Sequence, residues 1–253
     1  MRKLLLLVLS ALLSFVPLAA SEPAASPRQP VIVIVHGAWA GGWQSRKVAP
    51  LLEARGYKVY RPSMSGLGEH FNTASPNIGL ATHIDDIVNM ILFEDLHDII
   101  LLGHSYGGMV ITGVADRIPE RISRLIYLDA FLPNDGDSVL SLRKPGALAI
   151  EQMTRDGMII PSWVKPDKPF PKDVPHPLKT FTDPISLKNP AAARVPATYI
   201  LTVEKGRKPE EDDFFPSAER AKARGWPVVI MEANHVPMWY LPEETAALLS
   251  TIH

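Results

Sequence analysis

The chain has 253 residues, a formal net charge of −1, 24 prolines and no cysteine. A content of 46% hydrophobic and 21% charged residues is typical of a folded globular protein, and the length suits one α/β domain or two small ones. The near balance of 26 basic and 27 acidic residues leaves no basic excess for nucleic acid or a membrane surface. The lack of cysteine excludes disulfides, a thiol nucleophile and thiolate metal ligands.

The first 21 residues are predicted to be an export signal. Arg2 and Lys3 precede the apolar run LLLLVLSALLSFVPLAA, which ends in small residues. This combination is the pattern of a cleaved secretory leader, and the run is short for a membrane span. We therefore expect a signal peptide over 1–21, a linker over 22–30 and no stable membrane anchor after cleavage. The mature protein is expected to be exported, to the periplasm or the exterior.

Strand and helix patterns alternate through most of the remaining chain. The run VIVIVH over 31–36 is typical of a strand buried on both faces, and the apolar residues of 83–93 recur at helical spacing. Repeated strand–helix units predict an α/β fold with a doubly wound, mostly parallel sheet. Strands are predicted over 31–36, 57–62, 99–103, 124–130, 197–203 and 226–231, and helices over 43–55, 83–93, 107–118, 214–224 and 242–252.

The alternation stops between residues 132 and 195. The stretch 161–196 contains nine prolines, and proline at that density disfavours long helices and paired strands. We interpret 132–195 as a cap inserted over the sheet, with one short helix around 147–158. A disordered linker between two domains is the alternative, but the aromatic side chains in this segment favour a packed structure.

The sequence Gly103-His104-Ser105-Tyr106-Gly107 has the form G-x-S-x-G. A buried strand is predicted directly before it and an apolar helix directly after it, which is the setting of a strained nucleophile turn. The alternative, an ordinary serine that caps a helix, does not account for both flanking glycines. Ser105 is therefore the candidate nucleophile.

His235 is the candidate general base. It follows the last predicted strand, and loops after parallel strands emerge at the same sheet edge as Ser105. We interpret His36 and His104 as structural, and His83, His97 and His176 as surface or cap residues. No pair of histidines has a spacing typical of metal ligands, so neither a metal nor another cofactor is expected.

Two backbone amides are candidates for stabilising an oxyanion. One belongs to Tyr106, the residue after the nucleophile, and the other to Ala38 in the loop HGAW after the first strand. Only backbone N–H groups are needed, so the side chains there can vary.

The segments HGAWAGGW, GHSYGGMV, YLDAFLP and NHVPM, in this order, resemble the α/β-hydrolase superfamily. The resemblance is to its small serine esterase branch, which includes plant methyl esterases, hydroxynitrile lyases and bacterial carboxylesterases. It implies the α/β-hydrolase fold over 31–253, a Ser–His–acid triad, a cap lining an acyl pocket and a small-molecule ester as substrate. Hydroxynitrile lyases carry a threonine and a lysine where this chain has Gly37 and Val236, so the resemblance favours ester hydrolysis.

The triad acid has two equal candidates. Glu204, in LTVEKG, follows a late strand, where the plant esterases have an aspartate, and Asp129, in YLDAFLP, follows an earlier one. A carboxylate at the end of an apolar strand needs a partner, whereas Glu204 lies in a charged run. The choice between them stays open, with Asp212 or Asp213 as further alternatives.

The sequence predicts a serine carboxylesterase with an apolar pocket for small to medium esters. Other acyl or C–C bond hydrolysis by the same residues, and a ligand receptor without catalysis, are the alternative functions. The oligomeric state is not predicted. Trp39, Phe131, Trp163 and Met238 are the candidate substrate-binding residues.

Overall fold

The fold is described from a computed structural model, which describes residues 29–144 and 149–252. The predicted leader over 1–21, and the linker over 22–30 except its last two residues, lie outside the described residues. Within the described ranges, no helix combines the length and the apolar character needed to cross a lipid bilayer.

The strands of the described residues are β1 (Val31–Val35), β2 (Lys58–Tyr60), β3 (Ile99–His104), β4 (Ile122–Leu128), β5 (Thr154–Arg155), β6 (Met158–Ile159), β7 (His176–Pro177), β8 (Ala197–Val203) and β9 (Val228–Glu232). Six parallel strands form the main sheet, in the order β2-β1-β3-β4-β8-β9, and three very short strands form a separate antiparallel sheet in the order β5-β6-β7. The predicted parallel sheet is thus confirmed, with small shifts at the strand ends.

Helices cover both faces of the main sheet, which is therefore doubly wound. Alternate residues of β1 point to opposite faces, so Val33 and Val35 enter one core cluster while Ile32 and Ile34 enter the other. The helices of the described residues are α1 (Ala49–Glu53), α2 (Leu80–Phe93), α3 (Gly107–Arg117), α4 (Val139–Leu142), α5 (Ile150–Met153), α6 (Lys179–Thr182), α7 (Phe215–Ala223), α8 (Pro237–Tyr240) and α9 (Pro242–Leu249). Helices α2, α3 and α7 contribute to the first cluster and α1, α8 and α9 to the second.

The helix predicted over 43–55 is wrong as a single element. A 3₁₀ turn at Gly42–Ser45 precedes α1, which contains only five residues. Pro50 occupies the first turn of α1, and because proline has no N–H to donate, a helix cannot continue through it from residue 43.

The segment predicted to be a cap is more structured than expected. Instead of one helix around 147–158, it contains α4, α5 and α6 together with the antiparallel sheet β5-β6-β7, and residues 147 and 148 of the predicted helix lie outside the described residues. The prolines exclude long elements but not two-residue strands, which need few backbone N–H groups.

The carboxyl ends of the parallel strands meet at one edge of the sheet. Strand β3 lies between β1 and β4, and β8 lies between β4 and β9. The loops that follow β1, β3, β4, β8 and β9 therefore emerge side by side, and they carry the candidate functional residues.

Candidate active site

Ser105 occupies the sharp corner between β3 and α3. Its φ is +55°, a left-handed conformation that costs energy in a residue other than glycine. A Cβ on Gly107, at the first position of α3, would lie 2.6 Å from the carbonyl oxygen of Val35. A side chain at position 107 would therefore prevent α3 from packing this closely against β1, and only glycine permits the corner.

His235 lies in the loop between β9 and α8, and its side chain is bonded to Asp129 at the end of β4. Its Nδ1–H donates to Asp129 Oδ2 over 2.7 Å. Because Nδ1 carries this proton in the neutral ring, the lone pair is left on Nε2. Ser105 and His235 line the same cavity.

Asp129 is fully buried, and its carboxylate has a second partner. The backbone N–H of Thr202 in β8 donates to Asp129 Oδ1 over 3.1 Å. Asp129 itself has a φ of +45°, so a second residue of this sheet edge holds a left-handed conformation. The hydrogen bonds from His235 and Thr202 compensate for burying this carboxylate.

Glu204, the other sequence candidate for the acid, lines the cavity but is exposed at the carboxyl end of β8. Since Asp129 already accepts the hydrogen bond from His235 Nδ1, the position beside the imidazole is occupied. Asp212 and Asp213 also line the cavity.

Two aromatic rings pack against the imidazole of His235. The ring of Phe214 is stacked on it, with centroids 4.9 Å apart and planes 5° apart, and the ring of His104 lies 4.6 Å away at 40°. Phe214 also packs edge-on against Phe131. These contacts restrict rotation of the His235 side chain. Sequence reasoning did not select Phe214, because a phenylalanine at the start of a helix is also typical of ordinary core.

His104 holds the loop that carries His235. Its Nε2–H donates to the backbone carbonyl of His235 over 2.7 Å. Burial, and secondarily the neighbouring His235, holds the pKa of His104 well below its usual value, so the ring is neutral. Its Nδ1 has no hydrogen-bond partner within the described part of the chain. A Cβ on Gly37 would lie 2.9 Å from this Nδ1 and 3.1 Å from Ser105 Cβ, so the site has no room for a threonine at position 37.

The loop after β1 brings Ala38 to the cavity beside Ser105 and Tyr106. The N–H groups of Ala38 and Tyr106 are engaged by no other group among the described residues. Donors held in this way by a fixed backbone can stabilise negative charge that develops on a bound molecule.

The cavity has a volume of about 540 Å³ and is bounded by both the sheet edge and the cap. Of the residues predicted to bind substrate, Trp39, Phe131 and Trp163 line this cavity. Met238 does not: it is buried in the second core cluster, at the start of α8. Further apolar side chains that line the cavity are Ile150, Phe181 and Phe214.

The rim of the cavity is charged, which the sequence did not predict. Arg143, Lys144 and Arg207 line it together with several carboxylates. Burial, and then the negative charge of Asp129, raises the pKa of Asp212 to about 6. Asp212 Oδ1 accepts the N–H of Phe214 over 2.8 Å, so this carboxylate also fixes the ring that covers His235.

His83 and His176 were predicted to be surface or cap residues. His176 lies in the cap over 132–195, but neither residue is at the surface, and His83 belongs to α2. Both are completely buried, and both contact Tyr106. His83 Nε2–H donates to the carbonyl of Ser65, and its Nδ1 accepts the hydroxyl of Tyr106 over 2.9 Å. Their burial depends on packing between the cap and the sheet, for which the local sequence gives no signal.

A parallel sheet with a strained serine corner after a central strand, and a histidine bonded to a buried carboxylate at the same edge, is the arrangement of an α/β hydrolase. The sequence pattern of the Alpha/beta hydrolase family matches residues 32–248, and the chain belongs to this family. The resemblance noted in the sequence is thereby confirmed.

Two bacterial relatives align with most of the chain. A carbendazim hydrolyzing esterase of Nocardioides sp. (strain SG-4G) is 36% identical over 240 residues, which cover 87% of this chain and 98% of the relative. A pyrethroid hydrolase of Sphingobium wenxiniae is 29% identical over 252 residues, which cover 87% of this chain and 86% of the relative.

A solved structure has the same fold. It is an extracellular α/β-hydrolase from a Paenibacillus species, described as sharing structural and functional homology with tobacco Salicylic Acid Binding Protein 2. It superposes with a TM-score of 0.75 at 24% identity, covering 88% of this chain and 98% of that chain.

Proposed function

We propose that this protein is a serine carboxylesterase that cleaves small to medium esters through an acyl-enzyme intermediate. The observation that carries the proposal is the 2.7 Å hydrogen bond from His235 to the buried Asp129, at the cavity that Ser105 also lines. The 36% identity to a bacterial esterase along nearly its whole length supports the same conclusion.

The proposed reaction begins when the Ser105 hydroxyl oxygen forms a bond to the ester carbonyl carbon. The hydroxyl proton passes to His235 Nε2, and the charge on the carbonyl oxygen is stabilised by the N–H groups of Ala38 and Tyr106. The C–O bond to the alcohol then breaks, and His235 returns the proton to the leaving alkoxide. Water, activated by His235 in the same way, hydrolyses the acyl-enzyme.

Asp129 is proposed as the triad acid in preference to Glu204. A buried carboxylate bonded to Nδ1 fixes the tautomer that leaves Nε2 basic, and its negative charge stabilises the imidazolium formed during the reaction. Glu204 is exposed and belongs instead to the charged rim of the cavity.

The aromatic wall of the cavity supports an acyl or alcohol part that is largely apolar. Trp39, Phe131 and Trp163 are proposed to contact it, under a cap over 132–195 that belongs to a single domain over 31–253. Carbendazim and a pyrethroid ester belong in the first substrate panel, since these compounds are named for two relatives.

The proposal is tested by replacing the nucleophile. Wild type should hydrolyse p-nitrophenyl acetate, and Ser105→Ala should lower kcat by about 10⁴-fold or more with little change in thermal stability. Ser141→Ala is a matched control, because Ser141 is a serine of the cap helix α4 that does not line the cavity. A receptor without catalysis would bind such molecules and show no turnover that depends on Ser105.

We further infer that the protein is exported. Arg2 and Lys3, the apolar run and the small residues before residue 22 support a cleaved leader. Expression of the full chain in a bacterial host, with fractionation and mass measurement of the product, tests this. Export predicts a periplasmic or secreted product shortened by about 20 residues, whereas an uncleaved cytoplasmic product would contradict it.

A further inference from the structure

We propose that His176, a buried histidine of the cap, is a positioning residue that fixes the Ala38 amide for the oxyanion by holding Trp39. This inference rests on the proposed function, because it assigns a role in the same reaction. The cap is then part of the oxyanion site itself, in addition to lining the pocket.

Trp39 follows Ala38 directly and is held in a strained conformation by the cap. Its φ is +63°, in the left-handed region that a tryptophan rarely adopts. Its backbone N–H donates to His176 Nδ1 over 3.2 Å, its indole N–H donates to the carbonyl of Ile159 over 3.2 Å, and its carbonyl accepts the N–H of Val174 over 2.9 Å. All three partners belong to the cap, so the cap maintains the backbone conformation beside the Ala38 amide.

His176 is the partner whose chemistry fits this role. Its Nε2–H donates to Thr180 Oγ1 over 2.7 Å, and the Thr180 hydroxyl donates in turn to the carbonyl of Pro177. Because the backbone N–H of Trp39 can only donate, His176 Nδ1 is the acceptor, and the ring proton lies on Nε2, where the Thr180 oxygen accepts it. Burial, and then the neighbouring His83 and His36, keeps the pKa of His176 well below its usual value, so the ring stays neutral and able to accept.

The second oxyanion residue contacts the same cap cluster. The ring of Tyr106 lies edge-on to His176 with centroids 5.0 Å apart, and it stacks on Phe181 at 5.7 Å with planes 14° apart. Trp39, which follows the Ala38 amide, and Tyr106, which supplies the other amide, therefore both pack against the side chain of His176. Catalysis by such amides depends on their fixed direction, so a loss of this packing should weaken binding of the transition state more than binding of substrate.

A matched pair of variants isolates the hydrogen bond from the packing. His176→Leu and His176→Asn introduce side chains with the same number and branching of heavy atoms, but the asparagine Oδ1 can accept the Trp39 N–H in place of Nδ1. We expect His176→Leu to lower kcat on p-nitrophenyl acetate by about 10²-fold with KM within about twofold, the size of effect seen when one oxyanion donor is lost. His176→Asn should recover most of this loss. If His176 only fills the core, the two variants should have equal kcat.

An inhibitor that forms the oxyanion gives a second readout. A trifluoromethyl ketone accepts the Ser105 oxygen at its carbonyl carbon, the hydroxyl proton passes to His235, and the resulting oxyanion meets the same two amides. The affinity for this ketone should fall in His176→Leu by about the same factor as kcat, roughly 10²-fold, whereas the affinity for the matched methyl ketone should not change.

Two further variants keep the test decisive if His176→Leu does not fold. Thr180→Val is nearly isosteric and removes the oxygen that accepts the His176 Nε2–H, so kcat and trifluoromethyl ketone affinity should fall together by about tenfold. Tyr127→Phe is the control for lost stability, since it removes a buried 2.8 Å hydrogen bond to Thr112 away from the cavity and should change neither quantity.

The two proposals fail in different ways. Wild-type turnover that does not depend on Ser105 would contradict the proposed function. Ser105-dependent turnover together with wild-type kcat and ketone affinity in folded His176→Leu, or in Thr180→Val, would overturn only the role of His176.

Discussion

Asp129 is a carboxylate with no solvent contact, and its chemistry follows from the two groups that satisfy it. The imidazole of His235 and the N–H of Thr202 both donate to it. An ionised carboxylate that accepts such bonds has the right charge to stabilise a neighbouring imidazolium, and its position selects the tautomer of the ring. We therefore propose that Asp129 is required for the activity of the site, together with Ser105 and His235.

We expect Asp129→Asn to lower kcat by about 10⁴-fold, because the asparagine amide can present an N–H to His235 Nδ1 and reverse the tautomer. The matched variant Glu204→Gln should stay within about threefold of wild type. Steady-state kinetics on p-nitrophenyl acetate measure both. A large loss in Glu204→Gln with near-normal activity in Asp129→Asn would exchange the two assignments.

The sequence could identify both carboxylates but could not choose between them. Asp129 and Glu204 each follow a predicted buried strand, and strand ends at one sheet edge are all candidates for an active site. The choice depends on whether the side chain points inward beneath His235 or outward to solvent, and this depends on the backbone after each strand. Asp129 has a φ of +45°, which no pattern of residue types indicates.

The corner between β3 and α3 holds Ser105, the proposed nucleophile. A Cβ at Gly107 would approach the backbone oxygens of Val35 and His36 at 2.6 and 2.9 Å. Backbone atoms of a central strand cannot move aside, so α3 would have to shift and carry the Tyr106 amide with it.

Gly107→Ala should therefore lower the free energy of unfolding by about 2 kcal/mol and kcat by at least tenfold. Gly113→Ala, in the same helix, is the control for kcat, because its Cβ would meet side-chain atoms of Ile84 and no backbone of the sheet. Steady-state kinetics should show unchanged kcat in this control, while denaturant titration measures the loss of stability that each substitution causes. Equal effects of both substitutions on kcat would contradict a special role for the corner.

Elements with strong periodicity were predictable, and those that depend on distant packing were not. Strands β1, β3, β4 and β8 are apolar runs, so their burial on both faces is visible in the sequence. In the cap, two-residue strands such as β7 have no recognisable pattern, and they pair only because the sheet edge holds the ends of the insertion together.

Four histidines in the part of the chain that the structure describes are completely or nearly completely buried: His36, His83, His104 and His176. Burial lowers the pKa of His36 and of His83 to about 4, and it holds the pKa values of the other two well below the usual 6.5. The unfolded chain binds protons at these positions from about pH 6.5 downward while the folded protein does not. The stability that they contribute is complete above pH 6.5 and is lost as the pH falls toward 4.

We expect the free energy of unfolding, measured by urea titration, to fall steeply between pH 6.5 and 5. Each of His36 and His83 can account for up to about 3 kcal/mol over its full range. Asp212 and Asp173 act in the opposite direction, because burial raises the pKa of both, to about 6 for Asp212, so the folded state releases these protons at a higher pH than the unfolded state. Both carboxylates are partly exposed, which limits their effect.

A variant pair assigns this pH dependence. His83→Gln should reduce the slope by about 1.4 kcal/mol per pH unit, and His97→Gln, at a largely exposed histidine, is the comparison variant. A stability that is constant from pH 6.5 to 5 would contradict the burial of these histidines as neutral rings. The sequence could not predict this property, since the buried rings of His83 and His176 contact each other and Tyr106, which are far apart along the chain.

The proposed reaction depends most on Ser105, whose hydroxyl oxygen is expected to attack the substrate. The direct test is mass spectrometry of the protein after treatment with a fluorophosphonate, followed in parallel with loss of ester hydrolysis. We expect one adduct per chain, located on Ser105, activity lost in proportion to labelling, and labelling slowed strongly by His235→Ala. Hydrolysis that continues when Ser105 is fully modified, or an adduct that forms on another residue as activity disappears, would contradict it.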